Sequence, residues 1–90
     1  MRPEVVRIDG AGRPHISLGR GEAGPTHDVI LEETRPVLQG FCQTCFDAHP
    51  GENPGRKARN CSLMVAYLSM VNRDRVMRDE LLAEVERQTL

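Results

Sequence analysis

The chain has 90 residues, enough for one small domain that buries about 60–65% of the surface it exposes when unfolded. It is 39% hydrophobic and 28% charged with a net charge of -1, an ordinary globular mix that gives no global attraction to nucleic acid or to an anionic membrane. Aromatic residues are limited to Phe41, Phe46 and Tyr67, so little area is buried per residue and a staple is expected to supplement the core.

Residues 1–39 read as short strands between turns. VVRI (5–8) runs into DGAGRP, a turn-rich stretch headed by Asp-Gly. In HISLG (15–19), Ile16 and Leu18 alternate with His15 and Ser17, so one face is apolar. RGEAGPT (20–26) is a loop, and HDVILEE (27–33) is a β-rich run with an apolar middle. Three strands joined by two connectors predict a small antiparallel meander, which Pro36 interrupts.

Residues 50–59, PGENPGRKAR, contain two Pro-Gly pairs and are expected to be a loop. The pattern then changes. Asn60 or Ser62 is placed to cap a helix, and LMVAYLSMV (63–71) is apolar almost all round, which predicts a helix buried on most faces. Around NRDR (72–75) the helix either continues or gives way to a second one capped by Asp74. Residues 76–90 are amphipathic, with Val76, Met77, Leu81, Leu82 and Val85 on or near one face; Asp74–Arg78 and Glu84–Arg87 are spaced to pair outside.

All three cysteines lie between residues 42 and 61. Cys42, Cys45, His49 and Cys61 form C-x2-C-x3-H-x11-C, a Cys3His set with the donor count of a tetrahedral structural zinc site. Two residues between thiols allow a tight turn that aims both sulfurs at one ion, and Gly40 eases that turn. Cys61 enters from the start of the helix, where free N–H groups favour a thiolate. His27 and His15 compete with His49 for the fourth position. An iron–sulfur cluster is disfavoured by the lack of a fourth cysteine. The other readings are inert buried thiols and a Cys42–Cys45 redox pair.

The opening C-x2-C-x3-H is similar to the C-x2-C-x4-H opening of retroviral-type zinc knuckles. A knuckle followed by a ligand borne on a helix resembles a treble-clef finger, with one helical ligand here where that family has two. The likeness spans about 20 residues and implies zinc, without implying a function.

H-E-x-x-H, G-x-S-x-G, a P-loop and the H-x-E…P-C-x-x-C deaminase signature do not occur. The expectation is a protein that binds and does not catalyse. Arg56, Lys57, Arg59, Arg73, Arg75 and Arg78 face only Asp74 in the same stretch, a local basic patch suited to phosphates or an acidic partner. The face of Val76, Met77, Leu81, Leu82 and Val85 is suited to a protein partner or to a second copy of the helix. No apolar h-region and no apolar run of about 20 residues occur, so a cytoplasmic protein that neither enters nor spans a membrane is expected.

Together these features predict one α+β domain. A β-meander (1–39) leads to a zinc knuckle and loop (40–61) and then to one long or two short helices (62–90). The expected work is regulation by binding a macromolecule, a protein ahead of DNA, as in a transcription regulator or a virus-encoded modulator of a host protein. The alternatives are a zinc-finger DNA-binding protein using Arg56, Lys57 and Arg59, and a C-x2-C thiol redox protein.

Overall fold

The computed structural model describes residues 4–19 and 26–89, and for residues 4–6 the backbone alone. Residues 20–25 of the expected 20–26 loop lie outside the described residues. Four strands, β1 (Glu4–Ile8), β2 (Pro14–Leu18), β3 (His27–Glu33) and β4 (Gln39–Cys42), form one antiparallel sheet in the order β1-β2-β3-β4. Four helices follow: α1 (Gln43–Ala48), α2 (Pro54–Arg59), α3 (Ser62–Arg73) and α4 (Arg75–Thr89). The architecture is the expected α+β arrangement, a meander followed by helices, with two additions. The sheet gains β4, too short at four residues to show a period. The expected loop at 50–59 holds the one-and-a-half-turn helix α2, begun by Asn53, whose side chain accepts from the Arg56 N–H, and by Pro54 in the first turn.

Asp9 builds the first turn. Its Oδ1 accepts from the N–H groups of Ala11 (2.9 Å) and Arg13 (3.0 Å), and Gly12 takes the positive φ of 80° that closes it. The other carboxylate oxygen meets His15 Nε2 at 2.9 Å, while His15 Nδ1 meets Asp28 Oδ1 at 3.0 Å. The buried imidazole of His15 therefore ties the β1–β2 turn to β3.

Strand alternation sorts the sheet. Ile16, Leu18, Val29 and Leu31 point to one face and are buried there with Cys42. Helix α3 covers that face through Leu63, Met64, Tyr67, Leu68 and Val71, the i, i+1, i+4, i+5, i+8 stripe of an amphipathic helix. Its other side is open, with Val65 and Met70 exposed. The helix is thus half covered, not enclosed as its run of apolar residues predicts, because a single sheet layer offers only one surface. Gly40 permits the close approach: a Cβ there would stand 3.1 Å from both Met64 Sδ and Val29 Cγ1.

The two-helix alternative holds at NRDR. Asp74 is extended, and its Oδ1 accepts from the N–H groups of Val76 (3.1 Å) and Met77 (3.2 Å), capping α4. Arg78 does not pair with Asp74. It donates to Asn72 Oδ1, Thr34 O and Pro36 O at 3.0, 2.7 and 3.1 Å, pinning α4 to the β3–β4 connection. Arg87 does pair with Glu84. Leu81 is buried in the core, with Met77, Leu82 and Val85 packed partly against it. Of the five residues of the expected apolar face, Val76 alone is exposed. The face expected to meet a partner is therefore largely spent on the domain itself. No helix among the described residues is long and apolar enough to cross a membrane.

Candidate metal centre

Strand β4 ends at Cys42, which caps α1: its Sγ accepts from the Cys45 N–H at 3.4 Å. That one bond fixes the knuckle, since it forces the two-residue spacing into a turn with both sulfurs on the same side. Cys61 immediately precedes α3 as its N-cap residue. The chain between them is folded back by α2, so Cys61 returns to within reach of the knuckle.

The imidazole that meets these thiols is His27, at the start of β3. Its Nδ1 lies 3.4 Å from Cys42 Sγ, 3.7 Å from Cys45 Sγ and 3.5 Å from Cys61 Sγ. The four donor atoms all lie within 4.8 Å of one another. They join four places in the fold: the head of β3, the end of β4, the first turn of α1 and the start of α3. Register explains the meeting. Val29 stands opposite Cys42 across the β3–β4 ladder, so His27, two residues earlier and on the same face, reaches past the end of β4 to the knuckle.

His49 is not in the group. It is the C-cap residue of α1, its N–H directed at Phe46 O. On a regular helix the four-residue step from Cys45 would put the two side chains on one face, but α1 ends at Ala48 and His49 leaves it with non-helical φ and ψ of -128° and 57°, and its ring is not among the clustered donors. His15, the other competitor, has both ring nitrogens occupied by Asp9 and Asp28. Thr44, also on α1, holds the site from outside by accepting from the Asp28 N–H at 2.9 Å.

Burial sets the protonation of the group. Cys42 and Cys61 are buried and Cys45 half-buried. Burial pushes the Cys42 thiol up to about 12, with the neighbouring thiols adding to the rise against the lowering effect of the Cys45 N–H. Cys45 is raised as well, first by burial. These shifts keep the thiols in their neutral form; a divalent cation held among them would reverse that balance and favour the thiolates. The donor set, three sulfurs and one imidazole nitrogen, is able to hold one metal ion.

The structure divides the basic residues. Arg56 and Lys57 are exposed on α2 around an open cleft of about 430 Å³ with Glu52, Asn53 and Asn60. Arg59 lies elsewhere, over the Phe41 ring at 5.4 Å and paired with Glu32. Arg73 and Arg75 are exposed at the α3–α4 break, the length of α3 away. Compared with known protein families, curated proteins and solved structures, the chain has no match.

Proposed function

We propose that this chain is a zinc-clamped module that works by binding a protein partner. The observation carrying the zinc reading is the set of distances around His27. Zn–S bonds of about 2.3 Å and a Zn–N bond of about 2.0–2.1 Å, at the tetrahedral angle, put each thiolate sulfur about 3.6 Å from the imidazole nitrogen. The three separations here are 3.4, 3.7 and 3.5 Å. Four protein donors fill a tetrahedral shell and leave no position for a reacting water, which favours a structural role over catalysis.

The energetic reason for such a clamp is size. Zinc binding in finger peptides contributes about 10–16 kcal/mol near neutral pH, against about 5–15 kcal/mol for the whole stability of a typical domain. An ion joining β3, β4, α1 and α3 would offset the thin core of a chain with few aromatic residues. Binding as the work of the module is supported by what the surface offers. Val37, Val65, Met70 and Val76 are exposed aliphatic or thioether side chains, whereas the arginines needed for a DNA footprint are split among separate places.

Elemental analysis of the purified chain tests the metal reading. One zinc per chain is expected, lost in His27→Ala and retained in His49→Ala. Metal-free protein with Cys42 and Cys45 joined in a disulfide would overturn it in favour of thiol redox chemistry.

A further inference from the structure

We propose that the chain binds an extended acidic–aliphatic peptide of a partner protein as a fifth strand on the outer edge of β4, in the groove between β4 and α3. The proposal deepens the binding-module reading and rests on it. Strand β4 ends the sheet on one side. Edge strands are ordinarily guarded by charge, proline, a bulge or a covering helix; α2 comes against β4 at Phe41, where Arg59 lies over the ring, and leaves Gln39 and Gly40 lining the groove. The opposite edge, β1, carries Arg7 and a register shift between Val5 and Arg7. The sequence of β4 is QGFC, with no charge and no proline.

The edge already shows what it accepts. Leu38 sends its N–H to Asn72 Oδ1 at 2.8 Å, and its C=O accepts from Asn72 Nδ2 at 3.1 Å. One side-chain amide from α3 thus reproduces the two-bond pairing that a neighbouring strand makes. Leu38 immediately precedes β4, so these bonds are made where the ladder to β3 has ended. The β3–β4 ladder shifts register between Leu31 and Glu33, with the extra residue on β3; β4 itself keeps its alternation, and a period of two assigns the N–H and C=O of Gly40 to the same side as those of Leu38. Gly40 lines a groove of about 270 Å³ whose far wall is Met64, Val65, Leu68 and Ser69 of α3. An incoming strand would bond to Gly40 and place alternate side chains against Val65 and Leu68, the pattern of peptide recognition by strand addition.

Charge chooses the occupant. No acidic residue lines the groove among the described residues. Arg59 stands at its Cys42 end; Glu32 holds that guanidinium on one side, yet the side chain remains 58% exposed. Arg73 follows Ser69 by one helical turn at the opposite end and is exposed. A carboxylate on either flank of an aliphatic residue would meet one of these arginines. A second copy of the chain would bring the same uncharged strand and the same two arginines, so self-pairing is disfavoured.

Peptides selected from a random display library on the zinc-loaded full chain, then titrated into nitrogen-15-labelled protein, test the proposal. The expected consensus is an aliphatic residue flanked by Asp or Glu. Amide shifts should concentrate at Gln39, Gly40, Val65 and Ser69. Val65→Lys, at an exposed position that keeps zinc and fold, should weaken binding about tenfold or more, and Arg59→Glu should remove the acidic preference. Peptides whose shifts map elsewhere, or that bind as helices, would overturn the groove while leaving the binding-module reading intact. Recovery of no peptide, with an oligonucleotide bound instead at Arg56 and Lys57, would sink both, and recovery of neither would sink the groove proposal. Zinc content of the same sample decides the clamp separately.

Discussion

Replacing Asn72 by alanine strikes the junction of α3, α4 and the β3–β4 connection. Asn72 Oδ1 accepts from Leu38 N at 2.8 Å and from Arg78 at 3.0 Å, and its Nδ2 donates to Leu38 O at 3.1 Å. Leu38 is only 2% exposed, so its N–H and C=O would lose their partners in a place that water reaches poorly. Each buried group left unpaired costs about 1–3 kcal/mol. The site is part-buried, which puts the sum near the lower half of the range, about 2–4 kcal/mol. For a domain this size, 1 kcal/mol moves Tm by about 4–8 °C, so a fall of about 8–32 °C is expected. Asn72→Asp keeps the acceptor for Leu38 N and for Arg78 but sets a carboxylate oxygen against Leu38 O in place of the donor; the Arg78 guanidinium offsets that repulsion, so its loss should be smaller. Urea unfolding followed by far-ultraviolet circular dichroism, with saturating zinc and measured zinc content, reads both variants. A change of under about 0.5 kcal/mol in Asn72→Ala would refute the idea that this side chain stands in for a strand partner.

Two further predictions concern acid and packing. The Asp9 carboxyl is held well below its ordinary value of 3.8, chiefly by the Arg13 N–H and then by His15. A lowered folded-state value stabilises above the unfolded value and is lost as pH falls below it. Asp9→Asn should therefore be less stable than the parent near neutral pH, with the gap closing towards about pH 2; a gap constant with pH in parallel urea titrations would contradict this. Leu81 is 7% exposed and Val76 is 66% exposed on the same helix, so Leu81→Ala should cost about 2–5 kcal/mol and Val76→Ala almost nothing. Equal effects on thermal unfolding would mean that α4 does not pack as described.

Much of the architecture is legible in local chemistry. β2 shows in the alternation of Ile16 and Leu18, and the α3–α4 break shows in Asp74, a residue whose short carboxylate serves a helix start better than a helix interior. The buried stripe of α3 is harder to read, because Val65 and Met70 are as apolar as Leu63 and Leu68. Composition cannot tell which side of an apolar helix finds a sheet.

The candidate metal centre divides along the same line. Three cysteines within twenty residues, two of them spaced by a turn, announce a metal-binding group in the sequence itself, because that spacing is a property of the local chain. The identity of the imidazole is not local. His49 is four residues from Cys45 and His27 is eighteen, yet the chain leaves α1 at His49, outside the donor group, while the register Val29–Cys42 delivers His27. The sequence by itself determined the donor chemistry, the strand and helix periods and the helix break. Tertiary structure alone decided the fourth donor, the short strand β4 and the α2 turn, because each depends on which segments lie side by side, and sequence separation does not measure that distance.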